Sequence, residues 1–329
     1  MRSFRAIEIQ RGDDGYMVDV VDRHRAEPGD GEVLVDVAFS DLNYKDGLVM
    51  SGRFDLVTRF PMVAGIDLVG TVAESNSDNV RVGQLVTANG WGLGTDHDGG
   101  LAQATRLREE WVTPVPAGID AFSAAAIGTA GYTAALAVCA LRHRDVTKDS
   151  GPVLVTGAAG GAGSIAVLLL SRLGYTVVAS TGRRDSEAPY LASLGASEVI
   201  DRITPLPSGQ LGKAKWAGAV DTVGSSTLAT ILAETRYGGT VSAMGMAQGV
   251  DLPGSVVPFI TRGVTLAGID SVYAPHDARL EAWALLEDVL DLEVLAGITE
   301  TIGLSGAPDR ALEILAGKVR GRVVVDVNA

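Results

Sequence analysis

Two hydrophobic patterns succeed one another along this chain. Up to about residue 125, apolar residues come in short alternating runs: Val33-Leu34-Val35-Asp36-Val37, Gly70-Thr71-Val72-Ala73 and Leu85-Val86-Thr87. Turn formers such as Pro28-Gly29-Asp30-Gly31 separate them. Alternation with a period of two, broken by turns, predicts short strands with one buried face, so this part reads as a compact β-rich domain. From about Ala124 onward strands alternate with helices. The run Val153–Thr156 predicts a buried strand. A glycine-rich turn leads from it into an apolar helix from about Ser164 to Leu173, ended by Gly174. Strand Thr176–Ser180 and a helix near Ser186–Leu194 follow, then strand Ala219–Thr222 and a helix near Ser226–Thr235. Strands Thr240–Met244 and Val264–Ile269 and a helical stretch Ala278–Val289 complete the alternation. This is the α/β pattern of a doubly wound parallel sheet with helices on both faces. Arg322–Val327 is again a strand, and in this architecture it can return to the first domain. The predicted division is residues 1–124 with 298–329, and 125–297. No internal repeat or low-complexity segment is present.

Composition narrows the class. A length of 329 residues suits two domains, and 47% hydrophobic residues with 5% aromatics and 41 Gly describe small aliphatic cores with tight turns. The net charge of −13 argues against nonspecific binding to nucleic acid or anionic membrane, though a local basic pocket could still hold a small anion. The N-terminal stretch MRSFRAIEIQRGDDG alternates like a strand and carries no signal-peptide pattern, and the apolar run Ile165–Leu170 is too short to span a bilayer. The lone cysteine, Cys139, lies in the helical pattern AALAVCAL, reads as a buried core thiol, and fits a reducing cytoplasm.

The chemistry starts in the turn after Val153–Thr156. Ala158, Gly160 and Gly163 fall on the spacing of the dinucleotide fingerprint, with Ala in the first place. Small residues there let backbone N–H groups approach a pyrophosphate, and the helix N-terminus adds partial positive charge. An NAD site would place Asp or Glu at the end of the second strand to hold the ribose 2′-OH. Here that place reads Ala179-Ser180-Thr181-Gly182-Arg183-Arg184. Hydroxyls and a basic pair suit a 2′-phosphate and favour NADPH, with a solvated Arg pair as the alternative and Asp185 close by. FAD lacks the 2′-phosphate and is disfavoured. A catalytic zinc needs about three His, Cys or carboxylate ligands. His24, His97, His143 and His276 are not at ligand spacing from one another, so no metal is expected.

These residues resemble the medium-chain dehydrogenase/reductase superfamily in its zinc-free quinone oxidoreductase branch. In zinc alcohol dehydrogenases, the segment reading here Ala64-Gly65-Ile66-Asp67-Leu68-Val69-Gly70 carries a His ligand and a Glu; this chain has Ile66 and Asp67. SDLNYKDGLVMSG, FPMVAGIDLVGTV, NGWGLGTDHDGGLAQ, IGTAGYTA, WAGAVDTVG and GIDSV are similar to the NADPH-dependent acrylyl-CoA reductases along nearly the whole chain. The resemblance implies a GroES-like catalytic domain, a Rossmann domain, a cleft between them and a homodimer. It also implies hydride transfer from NADPH to the β-carbon of an acrylyl thioester. By motif it places Tyr44, Met246 and Ser271 near the nicotinamide, and Ala159, Gly160, Gly161 and Ala162 at the pyrophosphate, with Thr129 a further cofactor-binding candidate. Ser180, Thr181, Gly182 and Arg183 fall at the 2′-phosphate. Met246 stands for the subgroup's usual Leu, and Thr181 for a Ser.

Such a reduction needs a donor to the thioester oxygen and a proton source for the α-carbon. Asn43 and Tyr44 are candidate donors, and Tyr44, Asp46 or water candidate proton sources. The same Asn43-Tyr44-Lys45-Asp46 block also reads as a helix start capped by Asn43 or Asp46, and both readings can hold at once. Asp67 reads as an ordering residue by hydrogen bonding, with a base as the alternative, Tyr132 as a packing residue at a helix start, and His97-Asp98 as a solvated turn, with a place lining the acyl pocket as the alternative. Arg53 and Arg59 are candidates for coenzyme A phosphates, with a solvated face as the alternative. Two other functions fit the same residues: an NADPH:quinone oxidoreductase, and an NADPH-binding sensor without turnover.

Overall fold

The computed structural model describes residues 3–13, 15–207 and 209–329; Met1, Arg2 and Asp14 of the N-terminal stretch lie outside them. In chain order the first strands are β1 (Ser3–Gly12), β2 (Gly15–His24), β3 (Glu32–Asp41), β4 (Met62–Val63), β5 (Asp67–Ser75), β6 (Leu85–Asn89), β7 (Ala104–Arg108) and β8 (Thr113–Pro114). Helix α1 (Tyr44–Met50) follows β3, and α2 (Ala121–Arg142) follows β8. Then β9 (Val153–Val155), α3 (Gly161–Arg172), β10 (Val177–Ser180), α4 (Arg184–Ser193) and β11 (Glu198–Ile200) alternate. The alternation continues with β12 (Trp216–Asp221), α5 (Ser225–Glu234), β13 (Thr235–Ala243), α6 (Val257–Arg262), β14 (Thr265–Gly268) and α7 (His276–Val289). The chain closes with α8 (Leu292–Gly297), β15 (Thr299–Gly303), α9 (Ala307–Leu315) and β16 (Arg322–Asp326).

Two compact units result: residues 1–129, 271–274 and 295–329, and residues 130–270 and 275–294. The first break falls later than residue 124 because α2 starts inside the first unit. The short return of Ser271–Ala274 to that unit has no signal in the hydrophobic pattern.

The first unit holds a seven-stranded sheet ordered β15-β16-β3-β5-β6-β8, with β7 on β3, and a smaller sheet β2-β1-β4. The alternation of β3 buries Val33, Val35 and Val37 and exposes Asp36. These side chains pack with Ile7, Ile9, Leu68, Val72, Val86 and Leu107. Full burial of each such aliphatic group contributes about 1.5–3 kcal/mol. β16 does return to this unit: Val324 pairs with Asp41 and Val325 with Ser40, antiparallel.

The second unit is built on a six-stranded sheet ordered β11-β10-β9-β12-β13-β14, and every pairing in it is parallel. The order reverses between β9 and β10 on one side and β12 on the other, which puts a switch point at the C-terminal end of β9. Strands buried on both faces read as continuous apolar runs, as Val153–Val155 and Trp216–Asp221 do.

Three sequence expectations shift. Helix α3 starts at Gly161, not near Ser164, because Ser164 N already donates to Gly160 O at 2.8 Å. Strand β13 starts at Thr235, directly after α5, not at Thr240. Tyr132 sits inside α2, whose backbone leaves helical geometry at Gly128 (φ 49°, ψ −160°). The span Ala121–Arg142 is long and apolar enough to cross a membrane by length and composition, with a mean hydropathy of 1.6. Its apolar window is 83% buried within the protein, as expected of a core helix.

Candidate functional site

In the second unit the turn after β9 is shaped by close approach. A Cβ on Gly163 would collide with Gly157 O and lie 2.8 Å from Ala158 Cα, so the third fingerprint position admits glycine alone without movement. Gly160 is the N-cap of α3, in extended conformation (φ −80°, ψ 173°), with no side chain to cap the helix. The first N–H groups of a helix have no partner within it, and here Gly161, Ala162 and Gly163 carry them. A Cβ on Gly160 would meet only Gly157 O, at 3.3 Å, which leaves that side open for an anion. The turn is tied to the next strand. Thr222 Oγ1 donates to Thr156 O at 2.9 Å, and Thr156 Oγ1 donates to the buried Asp221 carboxylate at 2.6 Å. Burial pushes Asp221 above the ordinary carboxylate range, while bonds from Thr156, Gly224 N and Val223 N oppose the shift. WAGAVDTVG carries half of this clasp, and the other half, Thr156, lies 65 residues before Asp221, too far for a local sequence signal.

At the end of β10, Ser180 and Thr181 are buried. Ser180 Oγ donates to Asp201 O at 2.9 Å, and Thr181 Oγ1 accepts from Arg183 N at 3.2 Å. Arg183 is the N-cap of α4, and its Nε lies 3.6 Å from the Glu187 carboxylate. Arg184 turns away, donating to Val199 O at 3.1 Å and pairing with Asp201 at 3.4 Å. A cation the sequence reading missed stands in its place. The exposed Arg202, just past β11, lies against Gly182 so closely that a Cβ there would collide with its guanidinium. Arg202 thus stands against Gly182, and Arg183 follows Gly182 in the chain as the N-cap of α4. The signal for Arg202 is spatial, because adjacent parallel strands bring their C-terminal ends together. Met246 is exposed on the loop after β13.

The first unit gathers a different site. Asn43 is the extended N-cap of α1, and its N–H donates to Asp46 Oδ2 at 2.8 Å, which is one half of a capping box. Its side chain turns to two carboxyl groups instead: Nδ2 donates to Asp41 Oδ1 at 2.9 Å and to Asp67 Oδ2 at 3.1 Å. Asp67 Oδ2 also accepts from Thr129 N at 2.8 Å, and Asp46 Oδ1 from Ile66 N at 3.0 Å. Arg322, on β16, is 2% exposed and pairs through Nη2 with Asp41 Oδ1, while Nε donates to Ala126 O at 2.7 Å. Gly128 breaks α2 at this point. Its φ of 49° is left-handed, and a Cβ would collide with Asp41 Oδ2 and stand 2.7 Å from Arg322 Nη2.

Asp41, Asn43, Asp46 and Asp67 are all buried, at 1%, 8%, 1% and 1% exposure. Burial, with Asp67 beside it, pushes Asp46 up to about 7 against the opposing backbone bonds from Asn43 and Ile66. Tyr44, the first residue of α1, is 39% exposed and next to this cluster in sequence. Thr129 Oγ1 accepts from Asn89 Nδ2 at 3.5 Å. The Ser271–Ala274 segment joins the same unit: Trp91 N donates to Val272 O at 3.2 Å, and the Trp91 and Tyr273 rings stand edge to face at 6.1 Å. A Cβ on Gly90 would stand 3.1 Å from Ser271 O.

The remaining candidates fall elsewhere. Arg53 is exposed on a single 3₁₀ turn. Arg59 donates to Asp96 O at 3.1 Å and to Asp98 Oδ1 at 3.1 Å. Asp98 also accepts from Arg23 and Val63 N, so it braces a surface turn. His97 packs on Trp111 with ring centroids 4.5 Å apart. Tyr132 is fully buried, lies 5.2 Å beneath the Arg279 guanidinium, and is pushed to about 12 by burial. Cys139 is buried in α2, and burial raises its thiol to about 11. Among the described residues no group of three His, Cys, Asp or Glu is placed to hold a metal ion.

Comparison with known proteins places this geometry. Residues 29–117 match the alcohol dehydrogenase GroES-like domain, and residues 161–288 the zinc-binding dehydrogenase model. Acrylyl-CoA reductase AcuI of Ruegeria pomeroyi is 46% identical over 301 residues, 91% of each chain. The probable acrylyl-CoA reductase AcuI of Escherichia coli is 45% identical over 322 residues, 98% of each. The chain belongs to the medium-chain dehydrogenase/reductase superfamily. Within it, the chain falls in the quinone oxidoreductase branch. The Salmonella enterica yhdH oxidoreductase, solved in complex with NADP, is similar with a TM-score of 0.95 and 43% identity, covering 98% of this chain and 99% of that one. Bacillus subtilis yhfP, solved with NAD bound, also scores 0.95 at 40% identity, over 99% and 100% of the two chains. The GroES-like domain and the parallel nucleotide-binding sheet of this superfamily are the two units described above.

Proposed function

We propose that the chain is an NADPH-dependent reductase of the 2,3 double bond of acrylyl-CoA, working without zinc. The observation that carries the cofactor half is Arg202 against Gly182 with Arg183 next in the chain, and no carboxylate at the end of β10. Two cations and the Thr181 hydroxyl suit a 2′-phosphate, which an acid there would repel. The substrate half rests on the near full-length likeness to proteins named acrylyl-CoA reductase. The residues proposed for the pyrophosphate are Ala159, Gly160, Gly161 and Ala162, with Ser180, Thr181, Gly182 and Arg183 at the 2′-phosphate. Thr129, Met246 and Ser271 are proposed for the nicotinamide half.

Bound NADPH supplies the hydride, which the β-carbon of the thioester alkene accepts while the α-carbon takes a proton. This chain's residues handle the charge. Asn43 and Tyr44 stand at the start of α1, where N–H and O–H donors can meet the thioester oxygen as negative charge grows on it. Asp46, held near neutrality by burial, can keep a proton at working pH. Arg53 is the freer of the two Arg candidates for coenzyme A, because Arg59 is engaged with Asp98. A homodimer is also proposed. β14 is an edge strand of its sheet, and the preceding helix exposes Val256 at its N-cap and Ile260, at 64% and 77%. A cytoplasmic setting agrees with the buried, inert Cys139.

A quinone reductase is the second reading, favoured by 41% identity to a Bacillus subtilis protein named putative quinone oxidoreductase YhfP. Cofactor oxidation with acrylyl-CoA, crotonyl-CoA and a benzoquinone, each with NADPH and NADH, separates the readings. Saturable turnover of acrylyl-CoA with NADPH, and poor turnover with NADH, is expected. Preference for the quinone would select the second reading. Arg202→Ala should weaken NADPH by about tenfold while leaving NADH unchanged, since each ion-paired phosphate contact is worth about 1–2 kcal/mol.

A further inference from the structure

One amide bridges two carboxyl groups in the first unit, and the charges there do not balance if all are ionised. Asn43 Nδ2 bonds Asp41 at 2.9 Å and Asp67 at 3.1 Å, so the two acids are neighbours. Each is only 1% exposed. β3 contributes Asp41, β5 Asp67, α1 Asp46 and β16 Arg322, while α2 contributes backbone from Ala126, Gly128 and Thr129. Asp46 is served by the Asn43 and Ile66 N–H groups. That leaves one guanidinium for two adjacent carboxyls. Like charges at such a separation, away from water, do not both ionise. Burial and the neighbouring Asp67 hold Asp41 well above the ordinary carboxylate range, against the pull of Arg322.

A second observation is independent of charge. Asn43 Oδ1 and Asp67 Oδ1 are buried and have no hydrogen-bond partner among the described residues. A buried acceptor left unmet has given up its water for nothing, so it destabilises the fold. A proton on the pair turns Asp67 Oδ1, or its neighbour on Asp41, from an acceptor into a donor.

We propose that Asp41 and Asp67 share one proton as a single acid pair, and that the pair is a positioning device for reduction, Asp41 holding the Asn43 amide and Asp67 the Thr129 N–H. The positioning half rests on the reductase reading above. The shared proton leaves one negative charge on the pair, which Arg322 offsets. The site therefore carries little net charge beside α1, where an anion develops on the substrate. Ionising the pair fully would add a charge that opposes that anion.

The test uses the full chain labelled with 13C at the Asp carboxyl carbons. Wild type should show a carboxyl pair that keeps a proton at pH 7.5, and Asp41→Asn and Asp67→Asn should each abolish it. Ordinary carboxylate signals for both acids would overturn the shared proton, whatever the substrate proves to be. The second arm is kinetic. With the acceptor that wild type turns over, Asp41→Asn should lower kcat by about tenfold to a hundredfold and remove the high-pH limb of its profile. A wild-type kcat and pH profile in Asp41→Asn would overturn the positioning role. If wild type turns over no acceptor, the positioning half falls together with the reductase reading, while the carbon spectra still decide the pair. Asp41→Asn with Arg322→Gln removes the ion pair whole; it should show the same kcat loss if the single variant does not fold.

Discussion

The two candidate sites in this molecule are made in opposite ways. The turn at 157–163 works by leaving side chains out, and what it offers is backbone N–H groups at the start of α3. The cluster around Asn43 works by burying side chains that water would otherwise solvate: three carboxyls, an amide and a guanidinium. A backbone site tolerates many sequences that keep its glycines. A buried charged site depends on every partner, because each member left alone carries the full cost of its desolvation.

The contrast can be broken first at Arg322. Arg322→Met leaves Asp41 without its cation and should destabilise the first unit by about 3–5 kcal/mol, read as an early transition in chemical denaturation. Unfolding that matches wild type would show the ion pair to be dispensable. The backbone site should respond to volume instead. Gly163→Ala must move Gly157, and a cost of about 1–3 kcal/mol with at least about tenfold weaker NADPH binding is expected. Gly160→Ala has 3.3 Å to its nearest neighbour and should fold nearly as wild type. Equal losses in the two variants would remove the close-approach argument.

The smallest expected effect is a pH slope. Burial raises Asp46 from the ordinary 3.8 to about 7 in the folded protein. The folded state therefore binds the extra proton between those values, and stability contributed by that proton is complete at low pH and lost as pH rises through about 7. Each tenfold gain in proton affinity corresponds to about 1.4 kcal/mol. The stability advantage of wild type over Asp46→Asn should shrink between pH 5 and pH 8, measured by urea unfolding at fixed salt. An advantage that stays level over that range would mean that Asp46 is ionised in the fold and held by the Asn43 and Ile66 N–H groups.

The same contrast explains what could be read from the sequence. Five of the six strands of the parallel sheet were legible because they are apolar runs alternating with helices; β11, three residues long and never fully buried, gave no such signal. The fingerprint turn was legible because Ala158, Gly160 and Gly163 are neighbours in sequence. Even there, the start of α3 was misplaced: Gly161 and Ala162 look like loop residues, yet they are its first turn. Asn43 and Asp46 were legible as a helix cap, since that pairing is local. The role of Asp67 as an acceptor for the Thr129 N–H was not, because 62 residues separate them. Asp41 and Arg322 went unnoticed for the same reason, and so did Arg202, whose approach to Gly182 depends on the pairing of β10 with β11.

Arg322 lies 281 positions after the Asp41 it neutralises. At about 5–20 residues per second of synthesis, roughly 14–56 s pass on the ribosome between the two. During that interval β3 has been made without β16, and Asp41 has no cation to meet. The nascent first unit therefore has reason to stay open, with Asp41 in water, until β16 emerges. The nucleotide-binding turn, assembled from a few consecutive residues and nearby strands, can form while translation continues.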